Sequence, residues 1–267
     1  SPFLLTSMRW AGAVVIVIAF ALPHLKRDLP AIRHRLPFLA MLGATGFTLF
    51  NVLLYSSLAY TTAINVAIIQ ASMPLVVFLL NFLLFGQRAT SLQMAGFALT
   101  LVGVAIIASG GSLEVLTSLA FNFGDVLILI ATFAYGVYSV LLRQKPDMHW
   151  LSFITILGTS AFAASLPFSA YEIATGAVIW PDLLGWGIVF FTAIFPSILS
   201  QVFWMRGLEL VGSNNGGIFM NLIPVFGAML AIAILGERFH LYHAIALVLV
   251  IGGVWLSQRR RRNAPIQ

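Results

Sequence analysis

Cysteine is absent from this chain of 267 residues, so disulfides, thiolate metal sites and cysteine nucleophiles are excluded. Charge is scarce as well. Charged residues make up 8% of the sequence against 60% hydrophobic, far too little to clothe a water-soluble fold of this size. The sequence has no Gly-rich phosphate loop, no activated-serine elbow and no paired carboxylates inside an apolar run, so a catalytic reading has no residues to rest on. Nothing calls for a cofactor, and no polar stretch is long enough to form a soluble domain.

What is abundant is apolar sequence in runs of roughly 20 residues, each about the length that crosses a ~30 Å hydrocarbon core as a helix. The solvent is therefore lipid. A membrane barrel needs short strands alternating polar and apolar residues, and unbroken runs such as Met94–Ala108 contradict that. Helices satisfy their own backbone, so the expectation is an all-α membrane bundle. Nine spans are expected, near Pro2–Leu22, Pro37–Ala59, Thr62–Phe85, Leu92–Ser109, Gly124–Leu142, Trp150–Ala170, Leu183–Met205, Ser213–Leu235 and Leu241–Ser257.

The net charge of +6 is no nucleic-acid signature, because the basic residues sit in short connections and in the run Arg259–Arg262. Lys26, Arg27, Arg33 and Arg35 follow the first span, Arg88 the third, Arg143 and Lys145 the fifth, and Arg206 the seventh. All share one face with Arg259–Arg262, and the positive-inside rule makes that face, with the C-terminus, cytoplasmic. Glu114, Asp125, Glu172, Asp182 and Glu237 lie opposite, with Arg238 as the clear loop cation. Nine crossings then put the visible N-terminus outside with no signal sequence to carry it there. A helix before Ser1 would resolve this.

Internal symmetry makes the same demand. A shift of 150 residues lays Asn51 on Gln201, Asn65 on Asn215, Pro74 on Pro224, Gly86 on Gly236, Arg88 on Arg238 and Gly103 on Gly253 without a gap. Arg88 and Arg238 fall on opposite faces, so the halves are expected to cross in opposite senses. The first half-repeat is 1–110 with four visible helices, and the second, inverted one is 111–267 with five. The counterpart of Gly124–Leu142 is expected before Ser1, making ten helices in two five-helix repeats.

At this point the residues resemble a known family. An apolar run ending Leu-Gly-Glu-Arg at Leu235–Arg238, echoed by Phe-Gly-Gln-Arg at Phe85–Arg88, resembles the EamA branch of the drug/metabolite transporter superfamily. Ser1-Pro2-Phe3 leading to Met8-Arg9-Trp10 resembles the start of that family's second helix, and the resemblance covers essentially the whole chain. The aromatic-lined middle looks most like the YddG-type amino-acid exporters of bacterial inner membranes. The resemblance implies ten helices, cytoplasmic termini and a central cavity open alternately to either side.

Broken backbone near the midplane is the sequence pointer to a transporter's site. Pro74 and Pro224, matched by the repeat, are expected to act as hinges or to shape a cavity. Pro196 is equally well read as one more proline of a membrane helix. Polar side chains in mid-membrane are costly against lipid, so Asn51, Gln70, Gln201 and Asn221 should point inward. Phe47, Asn51 and Tyr55 stack on one helical face, and Ser197, Gln201 and Trp204 form the matching face. Gln70 and Met73 lie beside Pro74, Phe219 and Asn221 approach Pro224, and Tyr135 and Tyr138 sit in mid-span. These residues either line a solute cavity or serve as interhelical hydrogen-bond and packing contacts.

Arg9, the cation well inside a span, is either functional or snorkels to water. Gly96, Thr100, Gly103, Ala246 and Gly253 read as close helix packing. Glu237, His240 and His243 have a spacing compatible with metal ligation but lack a further ligand nearby. The expectation is a carrier of small organic metabolites, with amino acids favoured, working by alternating access. The rivals are an intramembrane enzyme acting on lipid and a packing subunit. The eight acidic residues lie in connections or at span ends, so facilitated movement is expected rather than obligatory proton exchange.

Overall fold

The computed structural model describes residues 1–236 and 238–259. Glu237 and Arg260–Arg262 lie outside the described residues. In chain order, α1 (Pro2–Gly43) leads through a π-helical turn, Ala44–Leu49, into α2 (Phe50–Ser57). There follow α3 (Ala63–Gln70), α4 (Met73–Phe85), α5 (Ser91–Ala108), the short α6 (Leu113–Thr117) and α7 (Phe123–Leu141). After α8 (Trp150–Ala174), α9 (Leu183–Ile194) meets a second π-helical turn, Phe195–Leu199, that continues as α10 (Ser200–Val211). Then come α11 (Ser213–Phe219), α12 (Leu222–Leu235) and α13 (Leu241–Gln258). No strand occurs among the described residues.

Among the described residues, eight helical stretches are long and apolar enough to cross a membrane. The first, Pro2–Ser57, has 56 residues and would be roughly 84 Å long if straight, far more than one ~30 Å core. It is not straight. The Trp10 and Phe47 rings stack with centroids 4.5 Å apart and planes 7° apart, although a straight helix would separate them by roughly 55 Å. The stretch therefore doubles back, and Pro23, Pro30 and Pro37, each lacking a helical N–H, lie within it. The first two expected spans are thus two passes of one continuously helical segment.

The outside of the molecule is apolar and much of its interior polar. Leu183, Leu184, Phe203 and Val248 are exposed, whereas Asn65, Asn81, Asn214, Asn221 and Thr100 are buried. A fold in water would reverse this, and one in lipid requires it.

The chain divides into two compact units, Ser1–Ser56 with Val137–Leu210, and Ser57–Gly136 with the described residues from Val211 on. In the first unit α1 and α8 pack antiparallel. Glu172 accepts from the Leu4 amide at 2.8 Å, Ser7 bonds Ser165 and Ser169 at 2.8 and 2.6 Å, and Asp28 accepts from the His149 amide at 2.8 Å. His149 caps α8 by accepting from Leu151 N at 3.3 Å, and its ring stacks on His24 at 3.6 Å. Burial foremost, then the nearby His24 and Arg27, pushes its pKa below the ordinary 6.5 against the opposing pull of Asp28.

In the second unit α5 packs on α13, and these helices occupy positions 150 apart. A Cβ on Gly253 would lie 2.5 Å from the Gly96 carbonyl, and one on Gly103 would lie 3.0 Å from the Ala246 carbonyl. The two helices therefore run antiparallel, and the 150-residue shift turns the first contact into the second. Backbone approach this close needs residues without side chains at the crossing. Val104, Val225 and Val250 are fully buried alongside, next to Ala71. Other details repeat at the same interval: α4 and α12 both end in left-handed glycines, Gly86 at φ 67° and Gly236 at φ 71°. The helix-terminating role of those positions follows from glycine's freedom at positive φ.

Candidate functional site

In the first unit the π-helical turn Ala44–Leu49 adds a residue to the helical repeat and brings Phe47 to the inner face, where it is buried. Asn51 donates its side-chain amide to the Phe47 carbonyl, capturing a backbone group that the turn disturbs. Tyr138 packs directly over Gly46, and a methyl group there would fall among the tyrosine ring atoms. The result is a row of rings. Trp10 stacks on Phe47, Phe47 meets the Tyr138 ring edge-on at 5.2 Å, and the Tyr138 hydroxyl donates to Gln201 Oε1 at 3.4 Å. Arg9 holds its guanidinium 5.4 Å from the Trp10 ring centroid and lies beside the Tyr55 side chain.

Arg9 is 8% exposed, so of its two expected roles the snorkelling one does not describe this conformation. Its Nε–H and the Trp10 indole N–H are both buried and find no acceptor among the described residues. The equivalent π turn, Phe195–Leu199, has its own repair: Pro196 cannot donate to the Thr192 carbonyl, and Ser197 Oγ does so instead at 2.9 Å. Trp204 sits half-buried on α10 beyond Gln201.

In the second unit two membrane helices are interrupted. The first breaks between α3 and α4 at Ala71 and Ser72, and the second between α11 and α12 at Met220 and Asn221. Pro74 and Pro224 fall in the first turns of the helices that follow, where a missing N–H costs least. Ser72 Oγ donates to the Ile69 carbonyl at 2.6 Å. The Asn221 amide nitrogen bonds the Ala71 carbonyl at 3.3 Å and Thr100 Oγ1 at 2.8 Å. A cavity of about 300 Å³ lies beside these breaks, lined by Gln70, Met73, Asn221 and Pro224 among others. Asn65, Thr61 and Asn122 satisfy the buried Asp125 carboxylate, with Asn65 Nδ2 at 3.1 Å and Thr61 Oγ1 at 2.6 Å. Tyr135 is buried in this unit, so the two tyrosines of α7 belong to different units.

The site residues expected from sequence therefore fall into two groups. Phe47, Asn51, Tyr55, Tyr138 and Gln201 come together in the first unit, and Gln70, Met73, Asn221, Pro74 and Pro224 in the second. Sequence reasoning missed Trp10, whose partner ring lies on the returning pass of the same helix. The available signal was its place beside the intramembrane Arg9. His240 and His243 cap α13, His240 N donating to His243 Nδ1 at 3.0 Å, while Glu237, the third member of that spacing, lies outside the described residues.

The model of the EamA-like transporter family matches residues 1–109 and 122–258. The chain belongs to that family. The uncharacterized transporter YetK of Bacillus subtilis is 26% identical over 266 residues, 98% of this chain and 79% of YetK. YyaM of the same organism, another uncharacterized transporter, is 27% identical over 248 residues, 91% of this chain and 79% of its own. The "probable terminal-alkyne amino-acid exporter" of Streptantibioticus cattleyicolor is 26% identical over 229 residues, 84% of this chain and 74% of that one. A solved crystal structure superposes with a TM-score of 0.77 at 21% identity, covering 96% of this chain and 86% of that one, which shows a shared fold. This EamA-like chain is thus a multi-pass membrane transporter of the drug/metabolite superfamily.

Proposed function

We propose that this transporter exports small neutral or zwitterionic metabolites, amino acids foremost, across a bacterial inner membrane. It would do so by alternating access between two inverted halves, without catalysing a reaction and with its C-terminus in the cytoplasm. The carrying observation is the row Trp10–Phe47–Tyr138–Gln201, which sets stacking surfaces beside an amide inside a membrane-spanning unit. Rings and amides at low dielectric bind uncharged or internally compensated solutes by contact and a few directed bonds. The broken helices at Ala71–Ser72 and Met220–Asn221, and the antiparallel α5–α13 pair at matched positions, support the inverted arrangement. The S. cattleyicolor relative's name favours amino acids among the solutes.

The experiment is flux into proteoliposomes holding the purified protein, with a panel of neutral amino acids and no imposed pH gradient or potential. Saturable flux of at least one of them is the expected result. Flux that appears only with a proton gradient would replace facilitated movement by coupled exchange. No saturable flux of any small solute would overturn the reading and favour a lipid-acting enzyme or a packing subunit.

A further inference from the structure

We infer that Arg9 anchors the carboxylate of the transported solute, so that the substrates of this carrier are organic monocarboxylates, zwitterionic amino acids included. The inference rests on the transport reading above and adds to it the class of substrate and the residue that selects it.

Arg9 lies inside a membrane-spanning segment and is 8% exposed. Arginine does not shed its proton in proteins, so this is a permanent buried cation. Such a charge is strongly unfavourable unless an anion meets it. None of the described carboxylates does so. Asp28 is paired with Arg27 at 3.2 Å, Glu209 with Lys145 and Arg206 at 2.7 Å each, and Glu172 accepts from the Leu4 amide at 2.8 Å. Asp125 is engaged within the other unit by Asn65 and Thr61.

What Arg9 does have beside it is the neutral Tyr55 side chain and the Trp10 ring. Both hold the guanidinium in place without neutralising it. Its Nε–H remains buried without an acceptor. A guanidinium offers donors in a planar fork that matches the two oxygens of one carboxylate, and a site with a vacant donor on that fork is preset for such a ligand. The rings beside it, Trp10 stacked on Phe47 and Phe47 against Tyr138, give the guanidinium a dry apolar setting in which a charge-assisted contact with a carboxylate is strong. A multivalent anion would arrive with charge that a single buried cation leaves uncompensated. One carboxylate balances it.

The test uses the full chain in proteoliposomes with three sets of probes: L-phenylalanine, L-leucine and L-threonine, each beside its carboxamide and its decarboxylated amine. Saturable flux is expected for at least one parent amino acid and about tenfold less, or none, for its two derivatives. Arg9→Gln should lose that flux by about tenfold or more, and Arg9→Lys should retain charge-dependent binding with a higher KM because it lacks the fork. Thermal unfolding in detergent separates this from a structural role. Without solute, Arg9→Gln should unfold at or above the temperature of the unaltered protein, since it removes an uncompensated charge. The transported amino acid should raise the unfolding temperature of the unaltered protein and leave that of Arg9→Gln unmoved. If flux occurs but ignores the carboxylate, or survives Arg9→Gln, the anchor is refuted and the transport reading stands. If no probe gives saturable flux, both fall together.

Discussion

Asn221 donates its side-chain amide to the backbone carbonyl of Ala71 at 3.3 Å, and each of the two residues stands at the break in its own membrane helix. They are 150 positions apart, the interval that also separates Pro74 from Pro224 and Gly86 from Gly236. One interrupted helix therefore repairs the backbone of its counterpart. Replacing Asn221 with alanine should lower stability in detergent by about 1–2 kcal/mol, the scale of an interhelical polar contact in a membrane protein. A denaturation series comparing Asn221→Ala with Thr100→Val should show coupling between the two substitutions, because they share one amide nitrogen.

The α5–α13 crossing can be probed with neighbouring glycines. Gly253→Ala puts a methyl group 2.5 Å from the Gly96 carbonyl and 2.7 Å from Thr100 Cγ2, and should destabilise by about 1–3 kcal/mol. At Gly252 a methyl group meets nothing within 4 Å, so Gly252→Ala should be neutral or gain up to ~1 kcal/mol from helix propensity. Thermal unfolding of the two variants side by side gives the comparison.

At the second π turn, Ser197→Ala strips the Thr192 carbonyl of its donor and should cost about 0.5–1.5 kcal/mol. Pro196→Ala restores a backbone N–H that can serve the same carbonyl. With Pro196→Ala in the background, Ser197→Ala should therefore cost measurably less. Equal costs in both backgrounds would show that the serine is not the proline's replacement donor.

His149 gives the pH prediction. Its pKa is lowered in the fold, chiefly by burial and then by His24 and Arg27, so between 6.5 and that lower value the unfolded chain binds more proton. Stability should be full above about 6.5 and fall as pH drops through that window toward the folded value. Protonation also removes the ring acceptor that caps Leu151 N. His149→Asn keeps a capping side chain and should flatten the dependence, as read by unfolding temperature against pH.

Much of the bundle was legible because lipid imposes long apolar runs and penalises polar groups that face it. The interruptions near Pro74 and Pro224 were legible too, since a proline matched across the 150-residue interval marks a place where backbone bonding must change. The return between the first two expected spans was legible as well, but not that the link carrying it stays helical past Pro23, Pro30 and Pro37. Asn221 shows a further limit. An amide in mid-membrane must find partners, but sequence does not name Ala71 and Thr100 as the groups that Asn221 bonds.

The pairing of α5 with α13 and of α1 with α8 has a consequence for biogenesis. Neither α1 nor α5 finds its main packing partner until the ribosome has made the corresponding helix of the second half. Through most of translation the glycine stripe of α5 lies open in the bilayer, with Gly96 and Gly103 presenting bare backbone. Contacts of such long sequence separation close late and slowly. A chain stalled before Leu241 would leave that stripe to whatever small-residue helix is nearest, so the last eighteen-residue helix carries the step that commits the second unit to its fold.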